Sequence, residues 1–151
     1  MSAGALYGDA NGRSRRPTVA VAESCTGGLI MSRIVAIPES GEWFKGGVVA
    51  YQPAVKFDLL DVDPGPVLTA RAAEQMATGV RTLMHADIGV STTGVAGPDT
   101  EEGQPVGTVF VGIATPGDVH CHELHLGGDP DRIRAEAADF ALGQLDRIGL
   151  Q

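Results

Sequence analysis

Apolar residues along this chain fall in short blocks that alternate between the spacing of a buried strand and that of a helix. Residues 18–22 form a β-branched, apolar run that predicts a buried strand. From Thr26 the period becomes helical: Leu29, Ile30, Ile34 and Ile37 share one face, Thr26 stands where a cap belongs, and Pro38 stops the helix. Residues 46–51 predict a second strand. Pro53 opens a short helix over 54–60, and Thr69 caps a longer one with Ala73, Met76, Val80, Leu83 and Met84 on its buried stripe. Residues 87–92 predict a third strand, followed by a long Gly/Pro-containing loop over 93–106. Two further strands, 107–115 and 119–126, meet at Pro116-Gly117-Asp118 as a hairpin. A last helix, 131–148, buries Ile133, Ala137, Phe140, Ala141, Leu145 and Ile148. Strands alternating with helices and ending in a hairpin predict an α/β domain, a three-layer α/β/α sandwich with a mixed sheet. It spans 17–151. The polar, Gly-rich residues 1–16 show no periodicity and are expected to be a flexible N-terminal tail.

Composition narrows the partners. With 151 residues the chain can bury one sizeable core. A formal net charge of −8 argues against nucleic acid, whose backbone calls for clustered Lys and Arg, but leaves room for a small anionic ligand at a local patch. No apolar run reaches the roughly 18 residues of a membrane span, and no signal peptide is visible, so no membrane partner and a cytoplasmic location are expected. Two cysteines, Cys25 and Cys121, make neither a disulfide framework nor a zinc site. His120 and His122 share a strand face, but no third ligand follows at a convincing spacing; no metal and no cofactor are expected.

The stretch 19–30, Val-Ala-Val-Ala-Glu-Ser-Cys-Thr-Gly-Gly-Leu-Ile, passes from strand to helix through small and polar residues. At the C-terminal end of a strand such a turn is where open α/β sheets hold ligands, and the helix amides there favour negative charge. It can equally be a tight backbone passage. Ser24 and Cys25 are both nucleophile candidates; neighbours point in different directions, so one of them faces a pocket and the other packs. Lys56 reads as a solvated helix residue unless burial lowers its pKa. Glu23 could orient Lys56, bind a substrate hydroxyl or make a local backbone contact. Trp43-Phe44 is a packing anchor or a ligand-stacking surface, with packing favoured for at least one of the two.

Three segments together resemble a known family, the C-terminal domain of CinA, whose stand-alone members include nicotinamide mononucleotide deamidases. They are Ala-Glu-Ser-Cys-Thr-Gly-Gly at 22–28, Gly-Val-Ala-Gly-Pro at 94–98 and Pro-Val-Gly-Thr-Val at 105–109, in the family's order. The resemblance covers residues 18–145. It implies an amidohydrolase acting on the exocyclic carboxamide of a pyridine mononucleotide, with Ser24 as nucleophile, Lys56 as base and Tyr51 as relay or positioner. It also implies substrate contacts from Glu23, Thr26, Gly27, Gly28, Thr93, Gly94, Ala96, Gly97, Arg132 and Arg134, with oxyanion donors among the amides of residues 26–28. A homo-oligomer is implied as well, with Trp43-Phe44 available for its interface. The chain departs from the family pattern at Gln52-Pro53, where Ser-Asn is usual, at Pro66-Val67-Leu68, where Ala-Val-Ser is usual, and at Pro130, which replaces an arginine whose role Arg132 would have to take. The alternative to the enzyme is therefore a non-catalytic relative that binds a nucleotide or a partner.

Overall fold

A computed structural model describes residues 7–150. Five strands, β1 (Val19–Glu23), β2 (Phe44–Val49), β3 (Ile88–Gly94), β4 (Thr108–Thr115) and β5 (Asp118–His125), form one sheet in the order β2-β1-β3-β4-β5. β2 and β3 run parallel to β1 on either side of it, and β4 and β5 continue antiparallel as the expected hairpin. Helices α1 (Leu29–Val35), α2 (Pro53–Leu60), α3 (Ala70–Leu83) and α4 (Pro130–Arg147) complete the α/β fold. Thr69 caps α3 through Oγ1, which accepts from Ala72 N at 3.0 Å.

The strand pleat sorts the core into two layers. Val19 and Val21 of β1 join Ile30 and Ile34 of α1 and Ile133, Ala137 and Ala141 of α4 on one face. Ala20 and Ala22 join Leu60, Ala72, Met76 and Val80 of α2 and α3 on the other. The connection through α1 carries the chain from β1 outward to β2; the connection through α2 and α3 returns it across β1 to β3. The strand order thus reverses at β1, and its C-terminal end is the topological switch point at which such sheets bind ligands.

Trp43 is 2% exposed and belongs to the core on the α1–α4 side, with Phe44 packed against it, so of the expected roles it takes the packing anchor. The expected tail needs correction beyond residue 6; residues 1–6 lie outside the described residues. Tyr7 is buried, and Arg15 donates to Asp87 at 2.5 and 3.0 Å. Asp87 also accepts from Thr18 N at 2.7 Å, and these donors hold its carboxyl at about 2, Arg15 contributing most. The lack of hydrophobic period hid a segment fastened by one aromatic ring and by the ion pairs of Arg15 and Arg16.

α2 can approach α3 because position 79 is glycine. A Cβ there would lie 2.1 Å from the Leu60 carbonyl oxygen. Helix propensity alone would favour alanine by about 1 kcal/mol. The clash outweighs it, so Gly79→Ala is expected to lower stability by about 1–3 kcal/mol. It should also displace α2, so a denaturant midpoint equal to or above wild type would contradict this packing.

Candidate functional site

β1 delivers its last residue and the following turn to opposite sides. Glu23, in phase with Val19 and Val21, is fully buried toward α1, and its carboxylate accepts from Ile30 N and Met31 N at 2.9 Å each. It is the cap of α1, a position that side-chain spacing assigned to Thr26. The structural N-cap is Gly28, whose φ of 104° is unfavourable for other residues. Ser24, in phase with Ala20 and Ala22, turns toward α2. There Lys56 Nζ donates to Ser24 Oγ at 2.9 Å and to the Tyr51 carbonyl oxygen at 3.1 Å.

Lys56 is 1% exposed and has no ion-pair partner among the described residues. Burial lowers its pKa below the usual lysine value, opposed by the more distant negative charges of Glu102 and Glu101 and by Cys25. The Ser24–Lys56 pair opens into a cleft of about 680 Å³, within the range of small-molecule pockets. Gly94, Ala96 and Gly97 line one side, Val67 and Leu68 another, and Tyr51 and Arg134 the mouth. Cys25 is packed in the core, and burial pushes its thiol up to about 12, which makes it a poor nucleophile beside Ser24.

The amides of the turn are already divided. Ser24 N donates to Thr92 O, Gly27 N to Ser24 O and Leu29 N to Thr26 O, while Glu23 takes the next two. Gly27 is therefore corrected as an oxyanion donor. The amides of Cys25, Thr26 and Gly28 reach no protein oxygen among the described residues, and of these residues Cys25 lines the cleft. Its N–H directly follows the nucleophile candidate, and in the sequence only its sulfur sets the residue apart.

Of the expected substrate contacts, Gly27, Gly94, Ala96, Gly97 and Arg134 surround the cleft. The other five do not line it. Glu23 is spent on α1. Thr93 Oγ1 donates to the Val67 carbonyl oxygen at 2.9 Å, inside the wall. Thr26 and Gly28 lie in an adjoining shallow hollow shared with Gly27 and Arg134, and the Thr26 hydroxyl pairs with that of Thr92 at 2.8 Å. Arg132 turns outward to Glu136, Nε to Oε1 2.9 Å, with its side chain 67% exposed, so it does not replace the arginine lost at Pro130. Arg134 remains, held by Asp131. Tyr51 is 71% exposed, and its contact to Lys56 is through the backbone carbonyl, not the phenol. Away from the cleft, His120 and His122 stack edge to face at 5.2 Å, and no group of three or more metal-ligating side chains forms among the described residues. Among the described residues no helix is long and apolar enough to cross a membrane.

Comparison with known proteins agrees with this architecture. The family model "CinA C-terminal domain" matches residues 8–148. A putative competence-damage inducible protein of Geobacillus sp. is 47% identical over 135 residues, covering 85% of this chain and 32% of that protein. A CinA-like protein of Frankia casuarinae is 42% identical over 139 residues, covering 89% of this chain and 32% of its own length. The chain thus spans about a third of these relatives. Among solved structures, a competence-damaged protein (CinA) superfamily protein of Escherichia coli superimposes with a TM-score of 0.84 at 30% identity, covering 87% of this chain and 80% of the other. A competence/damage inducible protein from Agrobacterium tumefaciens gives 0.81 at 32% identity, covering 87% and 85%. With the motifs at 22–28, 94–98 and 105–109 gathered at one sheet end and the family model spanning nearly all of the described residues, the chain belongs to the CinA C-terminal domain family.

Proposed function

We propose that the domain is an amidohydrolase that converts nicotinamide mononucleotide and water to nicotinic acid mononucleotide and ammonia, with Ser24 as nucleophile and Lys56 as base. The observation that carries this reading is the 2.9 Å contact between a buried, unpaired lysine amine and a serine oxygen at the floor of a cleft. In its neutral form Lys56 Nζ accepts the Ser24 proton as Oγ bonds to the carboxamide carbon. The carbonyl oxygen becomes an oxyanion, for which the Cys25 N–H is the available donor. Lys56 then returns the proton to the amide nitrogen, the C–N bond breaks and ammonia leaves an acyl-Ser24. Water attacks the acyl carbon and gives a proton to Lys56. The ester bond breaks, Ser24 Oγ regains that proton from Lys56, and the carboxylic acid product gives its remaining proton to the solvent and leaves as a carboxylate. Arg134 at the mouth suits a phosphate, since a guanidinium binds oxygens bidentately.

A second reading, a nucleotide- or partner-binding relative without turnover, draws on Pro130 and the outward Arg132, which leave one arginine at the mouth. Purified protein incubated with nicotinamide mononucleotide separates the two. Ammonia released in step with nicotinic acid mononucleotide is the expected result. Saturable nucleotide binding with no ammonia would overturn the enzyme and leave the binding domain.

A further inference from the structure

The cleft wall at Val67 and Leu68 is fastened in an unusual way. Both residues are nearly buried and both line the cleft, yet their backbone polar groups are met by side chains from a single stretch, 93–104. Glu102 accepts Val67 N at 2.8 Å through Oε1 and Leu68 N at 3.0 Å through Oε2. Thr93 Oγ1 donates to the Val67 carbonyl oxygen at 2.9 Å, and Gln104 Nε2 reaches the Leu68 carbonyl oxygen at 3.5 Å. Glu102 sits in a tight turn closed by Gln104 N to Glu101 O at 2.8 Å, with a φ of 50°, a left-handed conformation that a non-glycine residue holds only where its surroundings fix it. A carboxylate accepting two successive amides is such an anchor, and charge strengthens both bonds.

We infer that Glu102 is a positioning residue: its carboxylate clasps the Val67–Leu68 wall to the loop carrying Ala96 and Gly97 and so fixes the opening in front of Ser24 and Lys56. This rests on the reading of Ser24 and Lys56 as the reacting pair. The residue is exposed and polar in a loop, which is why sequence spacing gave no sign of it. Its charge has a second effect. The titratable groups acting on Lys56 are Cys25, Glu102 and Glu101; Arg134 also lines the cleft, and the two carboxylates favour the protonated amine. Removing a clasp charge therefore makes Lys56 easier to deprotonate, an effect that mere loosening of a surface turn would not produce.

The sequence contains two lysines, Lys45 and Lys56, so the side-chain titration of Lys56 can be followed by NMR on labelled lysine. Three variants of the full chain separate clasp from charge: Glu102→Ala, Glu102→Gln and Glu101→Gln. In Glu102→Ala, amide hydrogen exchange at Val67 and Leu68 should rise by at least about tenfold, the loss of a charge-assisted bond. Glu102→Gln keeps one acceptor oxygen and should fall between, which covers the case in which the alanine variant folds poorly. Glu101→Gln should leave that exchange at the wild-type rate. Lys56 should titrate at lower pH in Glu102→Gln than in wild type. With nicotinamide mononucleotide, the alanine variant should raise KM more than it lowers kcat, because the wall shapes binding and does not touch the reacting bond. Wild-type exchange at Val67 and Leu68 in Glu102→Ala, or an unmoved Lys56 titration in Glu102→Gln, would overturn the inference. Absence of ammonia from wild type would overturn the proposed reaction alone, since exchange and titration are read without turnover.

Discussion

Ser24→Ala is expected to lower ammonia release from nicotinamide mononucleotide by about 10⁴–10⁶-fold, the scale seen when a hydrolase loses its nucleophile. The fold should survive. Ser24 contributes one small buried hydroxyl, and its loss removes a single hydrogen bond, a change of about 1 kcal/mol. Cys25→Ala is the necessary companion. Its thiol is buried and pushed up to about 12, so it stays protonated at neutral pH, and the variant should keep activity of the same order as wild type. Ammonia release by Ser24→Ala at the wild-type rate would exclude the serine. Loss in Cys25→Ala with retention in Ser24→Ala would transfer the role to the neighbouring sulfur.

Lys56→Met is expected to cut kcat by about 10²–10⁴-fold, the contribution of a placed general base, while leaving the protein as stable as wild type or more so. The two effects have opposite signs for one reason. Lys56 is buried with no counter-ion at contact distance, so the folded state opposes its charge. That is what makes the amine available as a base, and it also costs stability while the amine is charged. The linkage follows. Lys56 has a folded pKa below its unfolded value, so between the two the unfolded chain holds a proton that the folded chain lacks, and stability rises with pH across that interval. Methionine keeps the length of the side chain and removes the titration, so this part of the pH dependence should flatten. The rate should show the same group: activity in wild type should climb as pH rises through the lowered Lys56 value. Urea midpoints at several pH values, together with kcat, test both. A clear loss of stability in Lys56→Met would mean that the amine is a structural donor to Ser24 and Tyr51 rather than a poised base.

Position decides much of this. Tyr51 and Lys56 are five residues apart, and the first turn of α2 brings the carbonyl of one to the amine of the other. That local geometry was accessible from Pro53 and the helical period. The meeting of Lys56 with Ser24, 32 residues away, was suggested only by resemblance of motifs. Glu23 shows the limit from the other side. A carboxylate next to a nucleophile invites a substrate role, yet the phase of β1 sends it into the interior to cap α1, while the next residue faces the cleft. Arg132 and Arg134 are two residues apart on α4, and that rotation alone turns one to Glu136 and the other to the cleft mouth.

The sequence by itself determined the element types and their order, because strand and helix periods, Pro53, Thr69 and the Pro116-Gly117 turn act over a few residues. It also determined the family, because three motifs stand in fixed order. Only the tertiary structure decided which polar groups face the cleft. The removal of Glu23, Thr26, Thr93 and Arg132 from that surface, the burial of Tyr7 and Trp43, and the grip of Glu102 on Val67 and Leu68 each depend on partners brought together by sheet order and strand phase, which no local pattern records.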